Sequence, residues 1–264
     1  MKSHRWISLG LLATLSGVAH AAPFFFSTGN TDGQMAAASR APSLGGAEIA
    51  AADDFVLALP TRIQSATVTG LLPSGAAASD ISEVLVEIHR VFPLDSTSPP
   101  SGNVTTRANS PSDIAIDARD SAYNTLNFSF TLVNPNFNAA NSVLDGIHPK
   151  PNQTTGGEGA VSGAEGLLNV TFPAPIALES DHYFFVVEVK LSTGNFYWLS
   201  APRPIVAPGT PIANDIQAWI RNSTLAPDWL RIGTDIVGGA TPPQYNLTFS
   251  ISGDDDTVFS DGFE

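Results

Sequence analysis

Two adjacent carboxylates, Asp53 and Asp54, raise the first chemical question in this sequence. They lie in the stretch AEIAADDFVLAL, where Phe55, Leu57 and Leu59 alternate like the buried face of a β-strand. Asp53 shares that face and Asp54 lies on the opposite face, so in either register one carboxylate points towards the core side of a sheet. A buried carboxylate is costly unless it is paired, hydrogen-bonded or bound to a metal.

Several kinds of partner could satisfy that carboxylate. Calcium takes roughly six to eight oxygen ligands, and Asp32 and Glu48 precede the strand and could complete a Ca²⁺ site with Asp53 and Asp54. The alternatives are an ion pair with an arginine (Arg62 or Arg90), capture by backbone N–H groups where the strand begins, or a catalytic role. The sequence leaves all four open and assigns no catalytic residue.

A second polar group is predicted on the strand Glu83–Phe92. Its alternation places Glu87 and His89 on the same face, which is either a solvated face or a polar ligand-binding face. His148 lies in a loop rich in glycine and proline. Glu87, His89 and His148 are therefore candidate ligand-binding residues. The sequence has no H-E-x-x-H zinc motif, no G-x-S-x-G nucleophile elbow and no phosphate-binding loop.

The tryptophans offer two interpretations. Trp198, Trp219 and Trp229 could provide stacking platforms for a sugar ring, or they could pack in the core. Core packing is the more common use of such residues, so we expect them to be buried.

The elements that must position these residues are β-strands. Glycine and proline together number 42 and separate short alternating runs, which predicts a single antiparallel β-sandwich of the all-β class, jelly-roll-like. One or two short helical insertions are expected near the C-terminus, at NDIQAWIRN after the capping residue Asn214 and at PDWLR. The predicted strands are Phe55–Leu59, Arg62–Thr69, Glu83–Phe92, Leu126–Val133, Leu167–Phe172, His182–Leu191, Phe196–Ser200 and Tyr245–Ser252.

Three stretches, 24–35, 93–124 and 141–163, are predicted to be loops. They are rich in Gly, Pro, Ser, Asn or Asp. Loops of this length in a compact domain are usually functional or disordered.

The chain divides into three segments. Residues 1–21 form a predicted signal peptide, with Lys2 and Arg5 before a short apolar run and Ala19-His20-Ala21 as a small-x-small cleavage site. Residues 22–253 form the sandwich domain, and 254–264 an acidic tail. No later apolar run is long enough to span a bilayer as a helix, so we expect a secreted, periplasmic or cell-surface protein.

Charge and cysteine content exclude several functions. The net charge is −13, and removing Lys2 and Arg5 leaves ten basic residues against 25 acidic ones, a net charge of −15. Nucleic acids and anionic membranes both need a basic surface, so neither is an expected partner. The sequence has no cysteine, which excludes disulfides, thiolate catalysis and cysteine-ligated zinc.

Two motifs carry a family resemblance. Asp53-Asp54-Phe55, followed by the T-x-I-x-x-A-x-V-x-G pattern from Thr61 to Gly70, resembles the opening of a group of exported Gram-negative bacterial β-sandwich proteins. The final VFSDGFE is similar to a short tail that ends many exported proteins of these bacteria. Together the motifs cover roughly a tenth of the chain. The resemblance implies a sandwich fold and export, and it implies no reaction.

These observations favour an exported, non-enzymatic binding protein. Carbohydrate or another extracellular matrix polymer is the expected ligand class, by analogy with other sandwich proteins. Two alternatives stay open. One is a secreted hydrolase that uses a loop carboxylate or histidine, and the other is a structural component of an envelope or biofilm.

Overall fold

Two β-sheets pack face to face in the computed structural model, which describes residues 21–42, 46–151 and 153–256. The prediction of an all-β sandwich is confirmed, and the chain crosses several times from one sheet to the other. The strands are β1 (Pro23–Ser27), β2 (Met35–Ala38), β3 (Ile49–Val56), β4 (Thr61–Pro73), β5 (Ile81–Val91), β6 (Pro111–Asp120), β7 (Asn127–Ala139), β8 (Asn141–Val143), β9 (Val161–Leu178), β10 (His182–Leu191), β11 (Tyr197–Pro202), β12 (Trp219–Asn222), β13 (Leu230–Arg231), β14 (Tyr245–Leu247) and β15 (Phe249–Asp255).

The strand order differs between the sheets. The smaller sheet has six strands in the order β13-β12-β3-β10-β5-β6. In the larger sheet of nine strands, β4 pairs with β9 on one side, and β9 pairs with β7 at the edge. On its other side β4 pairs first with β15 and then with β11, so this sheet divides into two branches. Among the described strands, β2 and β8 form the one parallel pair.

Aromatic side chains fill the space between the sheets. Phe185 of the smaller sheet stacks on Phe249 of the larger one with ring centroids 5.3 Å apart, and the edge of Trp198 meets Phe249 at 5.9 Å. Trp198, Trp219 and Trp229 are all fully buried, which confirms the core-packing interpretation of the tryptophans. Each such ring removes a large apolar area from water, and this burial is the main stabilising contribution to the sandwich.

A second apolar cluster covers the outer face of the smaller sheet. Side chains from β3, β10 and β12 pack there against the chain segments that follow β11 and β12, so β3 and β10 are buried on both faces. The buried members of this outer cluster are Ala50, Ala52, Phe184, Val186, Ile216, Trp219 and Trp229.

All three predicted loops contain strands. The first contains β1, the second contains β6 and the third contains β8. In β6 the apolar residues are Ile114, which is 55% exposed, and Ile116, which is partly buried, so no fully buried apolar face marks this strand. Backbone pairing with β5 holds the strand in place instead, and backbone pairing leaves no composition signal in the sequence.

The predicted short helical insertion near the C-terminus is present at Ile232–Val237, but neither of the two segments assigned to it is helical. Residues 219–222 form β12, which pairs with β3, and Leu230–Arg231 form β13. Without β12, the buried backbone N–H and C=O groups of β3 would lack partners, and this requirement overrides a local capping signal. The helical turns lie elsewhere, at Ala78–Asp80, Ser121–Tyr123 and Ile232–Val237. No helix in the described ranges is long and apolar enough to cross a membrane.

The ends of the predicted domain fall close to the edges of the described chain. The signal peptide, apart from its last residue, and the final residues 257–264 lie outside the described ranges. The last strand continues two residues beyond the expected domain end, because Asp254 and Asp255 pair with Arg62 and Thr61 of β4. The first two residues assigned to the acidic tail therefore belong to the sheet.

Candidate functional site

Strand β3 places Asp53 and Asp54 on opposite faces of the smaller sheet, and both are buried, with exposures of 0% and 1%. The expectation that the pair lies where the strand begins is wrong, because the strand starts at Ile49 and the carboxylates lie near its end. One carboxylate points between the sheets and the other points under the outer cluster. Both carboxylates therefore need a partner inside the protein, whereas the alternation in the sequence predicted this for only one of them.

Asp53 bridges the two sheets. Its Oδ2 accepts a hydrogen bond from the backbone N–H of Leu247, in β14 of the larger sheet, at 2.8 Å. Its Oδ1 has no hydrogen-bond partner in the described structure. Burial, followed by the neighbouring charge of Asp54, raises the pKa of Asp53 well above its ordinary value.

Asp54 is held by a histidine and a backbone group. His182 Nε2 lies 2.6 Å from Asp54 Oδ2, and the backbone N–H of Ile216 donates to Asp54 Oδ1 at 3.0 Å. Burial raises the pKa of Asp54, although the hydrogen bond and charge of His182 act in the opposite direction.

The arginines considered as partners lie elsewhere. The Arg62 guanidinium is 3.9 Å from Asp256, and Arg90 is 3.0 Å from Asp95. Of the partners that the sequence left open, backbone capture is the one that the structure places at both carboxylates, and His182 adds a partner that sequence reasoning missed.

The two remaining calcium candidates have their own surroundings. Asp32 Oδ1 accepts from the backbone N–H of Gln34 at 2.9 Å and from the Ser200 hydroxyl. Glu48 lies near the charges of Glu188 and Arg221. In the described ranges no group of three or more His, Asp or Glu side chains is arranged to hold a metal ion. Calcium binding stays a prediction.

The predicted same-face pair Glu87 and His89 is brought together. His89 Nε2 lies 3.1 Å from Glu87 Oε2, and His89 Nδ1 lies 3.1 Å from the carbonyl oxygen of Ser112. Burial alone would raise the pKa of Glu87, but the hydrogen bond and charge of His89, together with Arg221, hold this pKa below its ordinary value. His89 is only 1% exposed and its ring lies 5.8 Å from that of Trp229 in the outer cluster, whereas the Glu87 side chain is 22% exposed.

Two further charged residues, Arg221 and Glu188, lie near this face and were not among the predicted site residues. The Arg221 guanidinium lies 4.3 Å above the Trp229 ring. Glu188 is 1% exposed, its Oε2 lacks a hydrogen-bond partner in the described structure, and burial raises its pKa well above the ordinary value. A signal for Glu188 was present in the sequence, because it lies on the same face as Phe184 and Val186 in the predicted strand His182–Leu191.

His148 is separate from this pair. It is exposed, and its Nε2 forms a hydrogen bond with Asn222 at the end of β12. No hydrogen bond joins His148 to Glu87 or His89 in the described structure. The hydrogen bonds place His148 at the end of β12 and the Glu87–His89 pair on β5, and ligand binding by these three residues stays a prediction.

An open cleft of about 280 Å³ lies beside Asp54, next to the start of β12. Ile216 lines this cleft, and its backbone N–H donates to Asp54, so one residue contacts both the cleft and the acidic pair. Most of its lining side chains are polar. The lining residues are Ala108, Asn109, Arg203, Asn214, Asp215, Ile216, Gln217, Trp219 and Arg231.

The charges in this cleft are balanced locally. Arg231 donates to Asp235 from Nε at 2.9 Å and from Nη2 at 2.6 Å. Arg203 Nε lies 3.7 Å from the Asp215 carboxylate, whose pKa is raised by burial and which accepts a hydrogen bond from Asn246. With its cations already paired, the cleft offers amide, guanidinium and carboxylate groups that can donate to and accept from an uncharged hydroxyl-rich molecule.

Comparison of the chain with protein-family models, with curated proteins and with solved structures finds no match. The functional proposal therefore rests on the geometry of the candidate site.

Proposed function

We propose that this chain is an exported, non-enzymatic protein that binds a neutral, hydroxyl-rich ligand, a segment of an extracellular polysaccharide, in the cleft beside Asp54. The observation that carries the proposal is the polar lining of this cleft, in which exposed Asn109 and Asn214 amides face a space of about 280 Å³. Small-molecule sites are concave and rely on a few placed polar groups for specificity.

Two features favour this proposal over the secreted hydrolase, and a third supports the location that it requires. The adjacent carboxylates Asp53 and Asp54 are buried and bonded to protein groups, so neither is directed at a substrate. His148 and His89 lie apart from each other. The signal-peptide pattern and the resemblance to exported sandwich proteins support an extracellular location, where such polymers occur.

The backbone of the cleft permits a sharp test. Asn109 and Asn214 have positive φ angles, 63° and 61°, a region that glycine adopts without strain. Asn109→Gly and Asn214→Gly therefore remove each amide with little effect on the backbone. Asn124→Gly is the matched control, because Asn124 is also exposed, has a φ of 57° and lies outside the cleft.

A broad array of neutral polysaccharides identifies the ligand, and titration calorimetry then measures its affinity. We expect each cleft variant to weaken binding about three- to tenfold, the value of one hydrogen bond, and the control to bind like the wild type. Absence of binding to every polysaccharide would overturn the proposal. Release of shortened products from any polymer would favour the hydrolase instead.

A further inference from the structure

The edge strand β7 is unusual among the edges of this sandwich. It pairs with β9 on one side, and on its other side no strand of the described chain pairs with it. It is thirteen residues long, and its sequence, NFSFTLVNPNFNA, contains no charged residue. An exposed edge strand presents unpaired backbone N–H and C=O groups that can pair with another chain.

The other edges carry the features that usually prevent such pairing. Strand β6, at the edge of the smaller sheet, contains the charged residues Asp113, Asp117, Arg119 and Asp120. Strands β8 and β13 are only three and two residues long. The edge strand β1 begins at a proline, and its last residue, Ser27, accepts a backbone hydrogen bond from Thr210. Among the described edge strands, β7 is therefore the long one that has no charged residue to oppose pairing with another chain.

Two apolar side chains are exposed on this edge strand. Leu132 is 57% exposed and Val133 is 54% exposed, and they lie at an irregularity in the pairing with β9. Pro135 follows and cannot donate a backbone hydrogen bond, which limits the usable edge to Asn127–Val133.

We infer that Asn127–Val133 is a self-association edge, at which two copies of this chain pair their β7 strands antiparallel about a two-fold axis. The pairing geometry selects a second copy of the chain as the occupant. Two copies with a net charge of −13 repel each other across most of their surfaces, and a charge-free edge lets their backbones approach. Antiparallel pairing of one strand with its own copy is self-complementary, as a two-fold interface requires.

Centring the pairing on Phe130 specifies the contacts. Leu132 of one copy then lies opposite Phe128 of the other, which covers the exposed leucine, and Ser129 lies opposite Thr131. Ser129 and Thr131 are both exposed in the single chain, so their side chains can be changed without disturbing the core. This inference does not depend on the cleft, and either proposal can fail alone.

Charge exchange at these two positions provides the test. One variant carries Ser129→Lys and Thr131→Lys, and the other carries Ser129→Glu and Thr131→Glu. Like charges directly across a strand pair oppose association, whereas opposite charges favour it. Ile114→Lys is the control, because Ile114 is 55% exposed on β6, outside the proposed interface.

The measurement is the dissociation constant of the dimer by sedimentation equilibrium of the wild type, each variant and an equal mixture of the two charged variants. We expect each charged variant alone to dissociate at least about tenfold more readily, and the mixture and the control to associate like the wild type. Recovery in the mixture cannot come from misfolded protein. A monomeric wild type at about 100 µM, or charged variants that associate like the wild type, would overturn the inference.

Discussion

The Asp53 carboxyl shows how one buried ionisable residue links the fold to pH. Its pKa is raised in the folded chain, first by burial and then by the charge of Asp54. As the pH rises above 3.8, the ordinary pKa of an aspartate, the unfolded state releases a proton that the folded state still binds. The resulting stability is fully present below that value and is lost as the pH rises through the raised folded pKa.

Asp53→Asn should therefore stabilise the protein at neutral pH. The amide keeps an acceptor for the N–H of Leu247 and removes the buried charge. We expect the free energy of unfolding at pH 7 to rise by at least about 1 kcal/mol, since each pKa unit corresponds to about 1.4 kcal/mol. Urea unfolding at pH 5 and pH 7 measures this, and the gain should shrink at the lower pH. Asp145→Asn, at an exposed position, is the control, and a variant less stable than the wild type at pH 7 would refute the prediction.

At the scale of elements, Thr248 marks the point where the larger sheet branches. It separates β14, which pairs with β11, from β15, which pairs with β4. The Thr248 hydroxyl lies 2.8 Å from the carbonyl of Leu199 and 3.1 Å from that of Thr69, and the Thr248 carbonyl accepts from the indole N–H of Trp198. One buried threonine thus connects both branches.

Thr248→Val should weaken this branch point with little change in volume. The substitution removes the single hydroxyl proton, which one carbonyl accepts at a time, while the Leu199 carbonyl keeps the backbone N–H of Thr248 as a donor. We expect a loss of about 0.5–1.5 kcal/mol in the free energy of unfolding. Urea unfolding gives the loss, and hydrogen exchange at Leu247 and Phe249 shows whether the branch opens locally. Thr171→Val is the matched control, since Thr171 is exposed on β9. Equal effects at the two positions would contradict the proposed role of Thr248.

The elements differ in how far local sequence predicts them. Strands β5 and β10 were predicted to within two residues, because a regular alternation along each strand marks its faces. Strand β12 was predicted as a helix, because its sequence contains a local capping residue and its strand pairing depends on β3, more than 160 residues away. Glu87 and His89 were placed correctly on one face, whereas the cover over that face comes from distant segments.

At the scale of the whole molecule, the acidic pair has two competing explanations, internal satisfaction and bound calcium. Asp53 Oδ2 and both oxygens of Asp54 already accept hydrogen bonds from protein groups. We therefore expect the same melting temperature in EDTA and in millimolar Ca²⁺, for the wild type and for Asp54→Asn. A ligand that binds only the folded state raises the midpoint with its concentration, so a calcium-dependent rise that Asp54→Asn abolishes would establish the metal site instead.

The sequence alone determined the all-β class, most of the strands, the opposite facing of Asp53 and Asp54 and the shared face of Glu87 and His89. Each follows from alternation between neighbouring residues, which is a local property of a strand. Only the tertiary structure decided which groups satisfy the acidic pair, since His182 lies 128 positions from Asp54 and Leu247 lies 194 positions from Asp53. The first contact depends on β10 pairing with β3 in one sheet, and the second depends on how the two sheets stack. Both arrangements sum many contacts that no short stretch of sequence contains.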